Sequence, residues 1–431
     1  MNRRSTKPRV TASMNQMPAQ TVLPSGITVV SDYVSHVRTV AIGIWIGCGS
    51  QHDHISGTAH MLEHVLFRRS ARYTGTERSR ITEMLGAYVN ASTSKEVTSY
   101  YVRGLAEHTE RLIDILAELV FAPAFTEHDV EKERDVIIEE LHAYEDDPEE
   151  VIGDQLDTLL FGNHPLAHPI AGTIEQVRSI TLADLEAFYR RWYTAGNCAV
   201  IISGPLEHTQ AVELVDRILN RWAPRSTSMT NSVQRPPRQR TRGQRMTISR
   251  PFQQAHCGFG IQTPGARSSD RHAYALLNIL LGDSASSRLY RQLRERRGLA
   301  YSVYSSLQLL RDCGELVVYA GIRSDRTEVA LAAIEAELAR LRTNPPTMTE
   351  FRRAQQQLRS SILMSTESLS ARMNAIARML FEEGTLEPID AIAAAIEQTT
   401  LEDVQRIAEE LSNVQKWSVV LCREGTTAPA V

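Results

Sequence analysis

Val40, Ile42, Ile44 and Ile46 interleave with Ala41, Gly43 and Trp45, a period of two that predicts a β-strand. Upstream, Leu23-Pro24-Ser25-Gly26 predicts a turn between two short extended runs. Beyond the loop from Gly47 to Gly57 the period changes: Ala59, Met61, Leu62, Val65 and Phe67 recur at helical spacing around His60, Glu63 and His64. A second helix is predicted around Glu77 to Leu85, with Gly86 as its C-terminal cap. Tyr88 to Arg103, rich in Val, Thr, Ser and Tyr, predicts a strand pair. Leu112, Ile115, Leu116 and Leu119 mark a further helix closed by Pro123. Thr126-Glu127-His128-Asp129 has the form of a helix cap, and that helix runs to about Tyr144 before Asp146-Asp147-Pro148 ends it. More helix is expected to Phe161, then a Pro-containing loop from His164 to Pro169, a helix capped by Thr181 and Asp184, and a strand at Ala199 to Ile202.

Pro224 to Arg245 interrupts this patterning. It is rich in Ser, Thr and Pro, then in Arg (Arg235, Arg238, Arg240, Arg242, Arg245), with no apolar period, and reads as a solvated linker. Beyond it the order of elements repeats: a strand from Ala255 to Ile261, a helix from Arg271 to Leu281, another from Arg288 to Arg297, a strand pair from Tyr301 to Ile322 and a long helix from Val329 to Leu341. Thr347-Met348-Thr349-Glu350 then caps a helix where Thr126 to Asp129 did so earlier. Tyr274 and Asn278 stand roughly where the first copy has its paired histidines, and the late helix has no paired Glu. The expected fold is α+β: two homologous α/β-sandwich domains, each a mostly antiparallel sheet with helices packed on it, only the first carrying the metal site. The expected divisions are a basic tail at 1–20, a metal-binding catalytic domain at 21–223, a basic linker at 224–245 and a degenerate second copy at 246–431.

Composition narrows the function. A 431-residue chain with 42% hydrophobic and 23% charged residues has material for two full cores. A net charge of −4 argues against nucleic acid as the partner. No apolar run approaches the roughly 18 residues of a membrane span, so no membrane partner is expected. Cys48, Cys198, Cys257, Cys313 and Cys422 are scattered and odd in number, which suits reduced thiols in a cytoplasm. The first sixteen residues carry Arg3, Arg4, Lys7 and Arg9 without an apolar region, and are expected to be a disordered basic tail, with an organellar presequence as the other reading.

The chemistry sits on the first helix. His60 and His64, four residues apart, share a helix face and can grip one metal ion, with Glu63 beside them. Their apolar neighbours imply burial, which is costly for two imidazoles and a carboxylate unless a cation joins them. His-x-x-Glu-His is the inverse of the common zinc-protease helix. A hydrolytic zinc site takes three protein ligands and leaves one position open. The helix bearing Glu133, Glu139 and Glu140 is the best source of the third. Glu133 and Glu140, seven residues apart, lie on one stripe, whereas Glu139 points about 100° away.

Four segments, in order and near-spacing, resemble the insulinase (pitrilysin) family: Gly57 to Phe67, Asn90 to Glu96, Glu133 to Glu140, and His164 to Ile170. That family includes the mitochondrial processing peptidase, whose beta subunit is similar in type, and many short bacterial peptidases. The resemblance implies one Zn²⁺ per chain held by His60, His64 and Glu140, the last lying 76 positions beyond His64. It matches Glu133 to the family's second acidic residue, read here as orienting a ligand histidine. Leu293 to Val303 resembles the family's Arg…Gly-Leu-x-Tyr segment and implies that Arg294 and Tyr301 reach a bound peptide near the scissile carbonyl. Gly282-Asp283-Ser284-Ala285-Ser286 departs from the family's glycine-rich stretch.

The expected function is zinc endopeptidase action on peptides or unfolded segments inside a dimer chamber. Glu63 serves as general base on a metal-held water, and Asn90 and Ala91 hold substrate as an added strand. Because long family members face two such pairs of domains in one polypeptide, a chain of half that length is expected to form a homodimer. The alternative is a catalytically silent subunit like the family's non-peptidase members. A metal-binding module without hydrolysis would leave Glu63 unexplained.

Overall fold

The structure, a computed structural model, describes residues 17–222 and 242–424. Most of the expected basic tail and linker therefore lies outside the described residues. Strands β1 (Ala19–Val22) and β2 (Thr28–Tyr33) pair antiparallel around the Leu23–Gly26 turn, which Gly26 N–H closes on Leu23 O at 2.8 Å. They are followed by β3 (Thr39–Ile46), helices α1 (Thr58–Leu66) and α2 (Gly75–Met84), β4 (Tyr88–Thr93) and β5 (Thr98–Leu105). Helices α3 (Thr109–Phe121), α4 (Glu127–Glu145), α5 (Pro148–Phe161), α6 (Ile174–Ser179) and α7 (Leu182–Trp192) lead to β6 (Cys198–Gly204) and α8 (His208–Trp222). The sheet runs β1-β2-β6-β3-β5-β4, antiparallel except where β2 lies parallel to β6. The alternation read in β3 sends Ile42, Ile44 and Ile46 into the main helix-covered core and Ala41 and Trp45 to the opposite face.

The second half has β7 (Arg245–Ser249), β8 (Ala255–Pro264), α9 (Arg271–Leu281), β9 (Ala300–Leu309) and β10 (Cys313–Ile322). Then come α10 (Thr327–Thr343), α11 (Met348–Ser365), α12 (Leu369–Arg378), α13 (Ile389–Gln398), α14 (Leu401–Leu411) and β11 (Ser418–Arg423). Its sheet order, β7-β11-β8-β10-β9, matches β2-β6-β3-β5-β4 strand for strand, including the parallel pair. Where an ordinary helix was expected over Arg288 to Arg297, Tyr290–Glu295 forms a π-helical turn. Among the described residues no helix is long and apolar enough to cross a membrane.

Each sheet has one face covered by its own helices and the other by a helix from the opposite half. Ile152, Leu156 and Leu159 of α5 pack with Tyr319 of β10 and Val420 and Cys422 of β11. The approach is close enough to need glycine in β8: a Cβ on Gly258 would sit 2.4 Å from Ile152 Cγ2 and 2.7 Å from Leu156 Cδ1. Reciprocally, Met373, Ile376 and Ala377 of α12 pack on Val30, Ala41, Trp45 and Ile201 of the first sheet. Arg372 at the start of that contact binds Asp32 of β2 through both carboxylate oxygens at 2.6 Å. Amphipathic patterning shows that a helix has an apolar face but not which sheet the face will cover.

Candidate metal centre

Helix α1 starts at Gly57, whose φ of +96° is left-handed backbone and whose Cβ, if it had one, would lie 2.6 Å from Ala171 O. The first amides of the helix are satisfied by Asp53, whose carboxylate accepts from Gly57 N–H at 2.9 Å and Ala59 N–H at 3.0 Å. Ala59, Met61, Leu62 and Val65 are fully buried and fix the helix's rotation. His60, Glu63 and His64 are thereby turned to a cavity of about 1080 Å³.

Helix α4 supplies the facing stripe. Its start is set by a reciprocal cap between Thr126 and Asp129. Glu140 reaches the histidines, with Oε1 4.0 Å from His60 Nε2 and Oε2 3.6 Å from His64 Nε2. Glu133, two turns earlier, lies 3.1 Å from His64 Nδ1, and its other oxygen lies 3.4 Å from Arg68 Nη1. Glu139 is exposed, as its position around the helix required.

Among the described residues, His60, His64 and Glu140 form the one group of three ligand-type side chains whose donor atoms all lie within 4.8 Å of one another. With His64 Nδ1–H donating to Glu133, His64 Nε2 turns its lone pair toward the Glu140 carboxylate. His60 Nδ1 is buried without a hydrogen-bond partner. Burial, helped by His64, outweighs the Glu140 charge and brings His60 down to about 4, so it is neutral and ligand-competent near pH 7. For His64, burial acts to lower the pKa, but the Glu133 hydrogen bond and the charges of Glu63, Glu140 and Glu133 outweigh it and raise it. Two imidazoles and a carboxylate converging at an open cavity fit the donor set and the vacant fourth position of a hydrolytic zinc site.

Glu63 completes the cavity wall without joining that group. Burial raises it above the usual carboxylate range, against the opposing effects of the Thr93 hydroxyl, which donates to its Oε2, and of His64. Thr93 belongs to β4, the unpaired edge of the first sheet, where Val89, Ala91 and Thr93 are the less exposed set. Ala91, Ser92 and Thr93 line the cavity. Asn90 does not: its side chain is exposed, donating to Tyr88 OH and accepting from Ala91 N–H, each at 2.9 Å. Arg294 and Tyr301 also lie outside the cavity of their own chain. Arg294 stacks between the rings of Tyr290 and Tyr301, at 5.1 and 5.6 Å from their centroids, and Tyr301 is 74% exposed.

Several site neighbours escaped sequence reasoning. Lys95 Nζ donates to His168 O at 2.6 Å and pairs with Asp157 at 2.8 Å, fastening the β4–β5 hairpin to α5. Tyr144 donates to Glu140 Oε1. Thr93 and Lys95 act across contacts between elements distant in sequence, whereas Asp53 and Tyr144 act within six and four residues of their partners. Glu145, Glu150, Asp154 and Asp157 of the first half and Glu315 of β10 also line the cavity, together with Lys95 and Arg250.

Residues 28–174 match the family model described as insulinase (peptidase family M16), and residues 179–358 match that of the peptidase M16 inactive domain. The chain is 34% identical over 409 residues to an uncharacterized zinc protease of Mycobacterium leprae, covering 93% of this chain and 91% of that protein. It is 29% identical to a probable mitochondrial-processing peptidase subunit beta of Arabidopsis thaliana, over 90% of this chain and 75% of that one. A solved protease from Helicobacter pylori has the same fold, with a TM-score of 0.89, 21% identity and coverage of 94% and 99%.

Proposed function

The chain belongs to the insulinase family of peptidases, M16, and from that premise we propose that it is a zinc-dependent endopeptidase acting on peptides or unfolded segments. The observation that carries this reading is the convergence of His60, His64 and Glu140 on one point of a cavity wall, with Glu63 beside them and not among them. A zinc ion held by those three side chains would supply Lewis-acid chemistry, polarising the scissile carbonyl and acidifying the attacking water. Glu63 takes the proton of that water as general base and then delivers it to the departing amine, so the products are a carboxylate and an amine. Its burial, which raises its proton affinity, suits it to the task. Thr93 occupies one Glu63 oxygen and leaves the other for the proton. Glu133 holds His64 in the tautomer that turns Nε2 toward Glu140.

Substrate lies along the free edge of β4, where main-chain hydrogen bonds give affinity with little sequence demand. Ala91 N–H is occupied there by the Asn90 side chain, a bond that an incoming carbonyl would replace. Arg294 and Tyr301, outside their own chain's cavity, act on the site of a second copy in a homodimer.

The test is metal analysis alongside quenched peptides of graded length. One zinc per chain, chelator-sensitive cleavage restored by zinc, and sparing of tightly folded proteins are expected. Zinc binding without cleavage of any peptide would favour the silent-subunit reading.

A further inference from the structure

Three side chains of α4 lie on one stripe toward the histidines: Glu133, Glu140 and Tyr144, separated by seven and four residues. Glu133 and Glu140 already have tasks. Tyr144 sits on the last turn of the helix, lines the cavity, and donates its phenol proton to Glu140 Oε1. We infer that Tyr144 is a positioning residue that holds the Glu140 carboxylate in the conformer that meets His60 and His64. The inference rests on the zinc reading above and deepens it.

The need for such a residue follows from Glu140 itself. Its side chain is 30% exposed, has several rotatable bonds and is reachable by water, so its rotamer is not fixed by packing. A carboxylate that gives one oxygen to a metal leaves the other requiring a donor. In this structure Oε2 lies 3.6 Å from His64 Nε2, and Oε1, the oxygen Tyr144 holds, lies 4.0 Å from His60 Nε2. Tyr144 is the donor in that bond, because an ionised carboxylate can only accept. His64 has its own outer partner in Glu133, so two of the three candidate ligands are held from α4. The second half agrees. Counting from the cap at Thr347 as from Thr126, α11 carries Ala354, Ser361 and Ser365 in place of Glu133, Glu140 and Tyr144, so the tyrosine is missing together with the acids.

The experiment measures Zn²⁺ affinity by competition with a chromogenic chelator for the wild-type full chain, Tyr144→Phe, Glu140→Ala and the double variant. Tyr144→Phe keeps the ring, and its metal-free melting temperature should equal that of the wild type. Its zinc affinity should fall by about 10- to 100-fold, the usual consequence of losing an outer-shell partner. Because Tyr144 acts through Glu140, it should cause no further loss in the Glu140→Ala background. Wild-type affinity in Tyr144→Phe, or an equal loss in both backgrounds, overturns the inference and leaves the zinc reading standing. A wild-type chain that binds no zinc overturns both.

Discussion

Thr126 and Thr347 cap equivalent helices in the two halves, each answered by an acid three residues on, and from those caps the two copies can be compared position by position. Apart from the extra β1 of the first sheet the strand orders agree, yet the contents of the helix pair beneath them differ. Tyr274, Leu277 and Asn278 of α9 stand where α1 has His60, Glu63 and His64, and at 3%, 0% and 6% exposure they are simply core. Asn278 is satisfied internally, its Oδ1 accepting from Ser305 Oγ at 2.6 Å. In α1 the equivalent polar groups are left convergent and open, and His60 Nδ1 has no partner at all. The fold is thus complete without the ligand set, and the set carries a burial cost that a bound cation would offset. What the second half contributes instead is wall and cover: Glu315 and Gln308 at the cavity, α12 on the first sheet, and the Arg294–Tyr301 stack.

The comparison breaks most sharply at the site. Glu63→Gln removes the base and spares the ligands, so turnover should fall by about 10²- to 10⁴-fold with zinc content kept. Glu140→Ala should lower zinc content itself, whereas its counterpart in the second half, Ser361→Ala, should change neither. Near-normal turnover in Glu63→Gln would remove the general-base assignment.

A second break tests what the metal-free half supplies. Glu63→Gln has a dead base and an intact Arg294/Tyr301 segment, and Arg294→Ala with Tyr301→Phe has the reverse. Each homodimer should be nearly inactive. Mixed after proven subunit exchange, they should recover activity up to about one working site per heterodimer, because one site then joins an intact centre to an intact segment. Exchange without recovery would mean that the segment acts on its own chain's site or takes no part.

Much of this molecule was legible in its sequence because the relevant signals are local. The four-residue spacing of His60 and His64, the period-two run in β3 and the caps at Thr126 and Thr347 each fix geometry within a few residues. Helix periodicity put Glu133 and Glu140 on one stripe with Glu139 about 100° away, and the family resemblance, with its acid 76 positions beyond His64, favoured Glu140 over Glu139. Contacts decided by which surfaces meet were not legible. Nothing local says that α5 and α12 exchange sheets, that Lys95 reaches Asp157, or that Tyr301 points to solvent, since each depends on two elements distant in sequence.

That exchange of helices supplies a third test, on stability. Leu156 of α5 and Ile376 of α12 are buried on the opposite half's sheet, and truncating either to Ala should cost about 2–5 kcal/mol. Hydrogen exchange in Leu156→Ala should speed in β8 and β11 more than in β3 and β6, although Leu156 belongs to the first half. Calorimetry should show one transition, since neither sheet is covered without the other half. Two separated transitions would show that the halves hold together by themselves.

The smallest expected difference lies in the caps from which the comparison began. In both acids burial acts to raise the pKa. It is outweighed at Asp129 by Thr126 with Arg69 and Arg68, and at Glu350 by Arg288 with Thr347, which bring Glu350 to about 2. A carboxylate whose folded pKa lies below its unfolded value stabilises the protein above the unfolded value, ~3.9 for Asp and ~4.3 for Glu, and loses that contribution as pH falls through the folded one. The partners are unequal. Arg288 is 9% exposed and grips Glu350 at 2.9 and 2.8 Å, whereas Arg69 is 49% exposed and 3.7 Å from Asp129. Urea unfolding of the metal-free chain, followed from pH 7 to 2.5, should therefore show a penalty of about 1 kcal/mol or more for Glu350→Gln and a smaller one for Asp129→Asn. The Glu350→Gln penalty should hold down to about pH 4.3 and shrink as pH falls toward 2. Arg288 also donates to Asn344 O at 2.7 Å and Pro345 O at 3.2 Å. A Glu350→Gln penalty no larger than that of Asp129→Asn would mean that these two carbonyls alone hold Arg288, and that the two caps are equivalent in energy as well as in place.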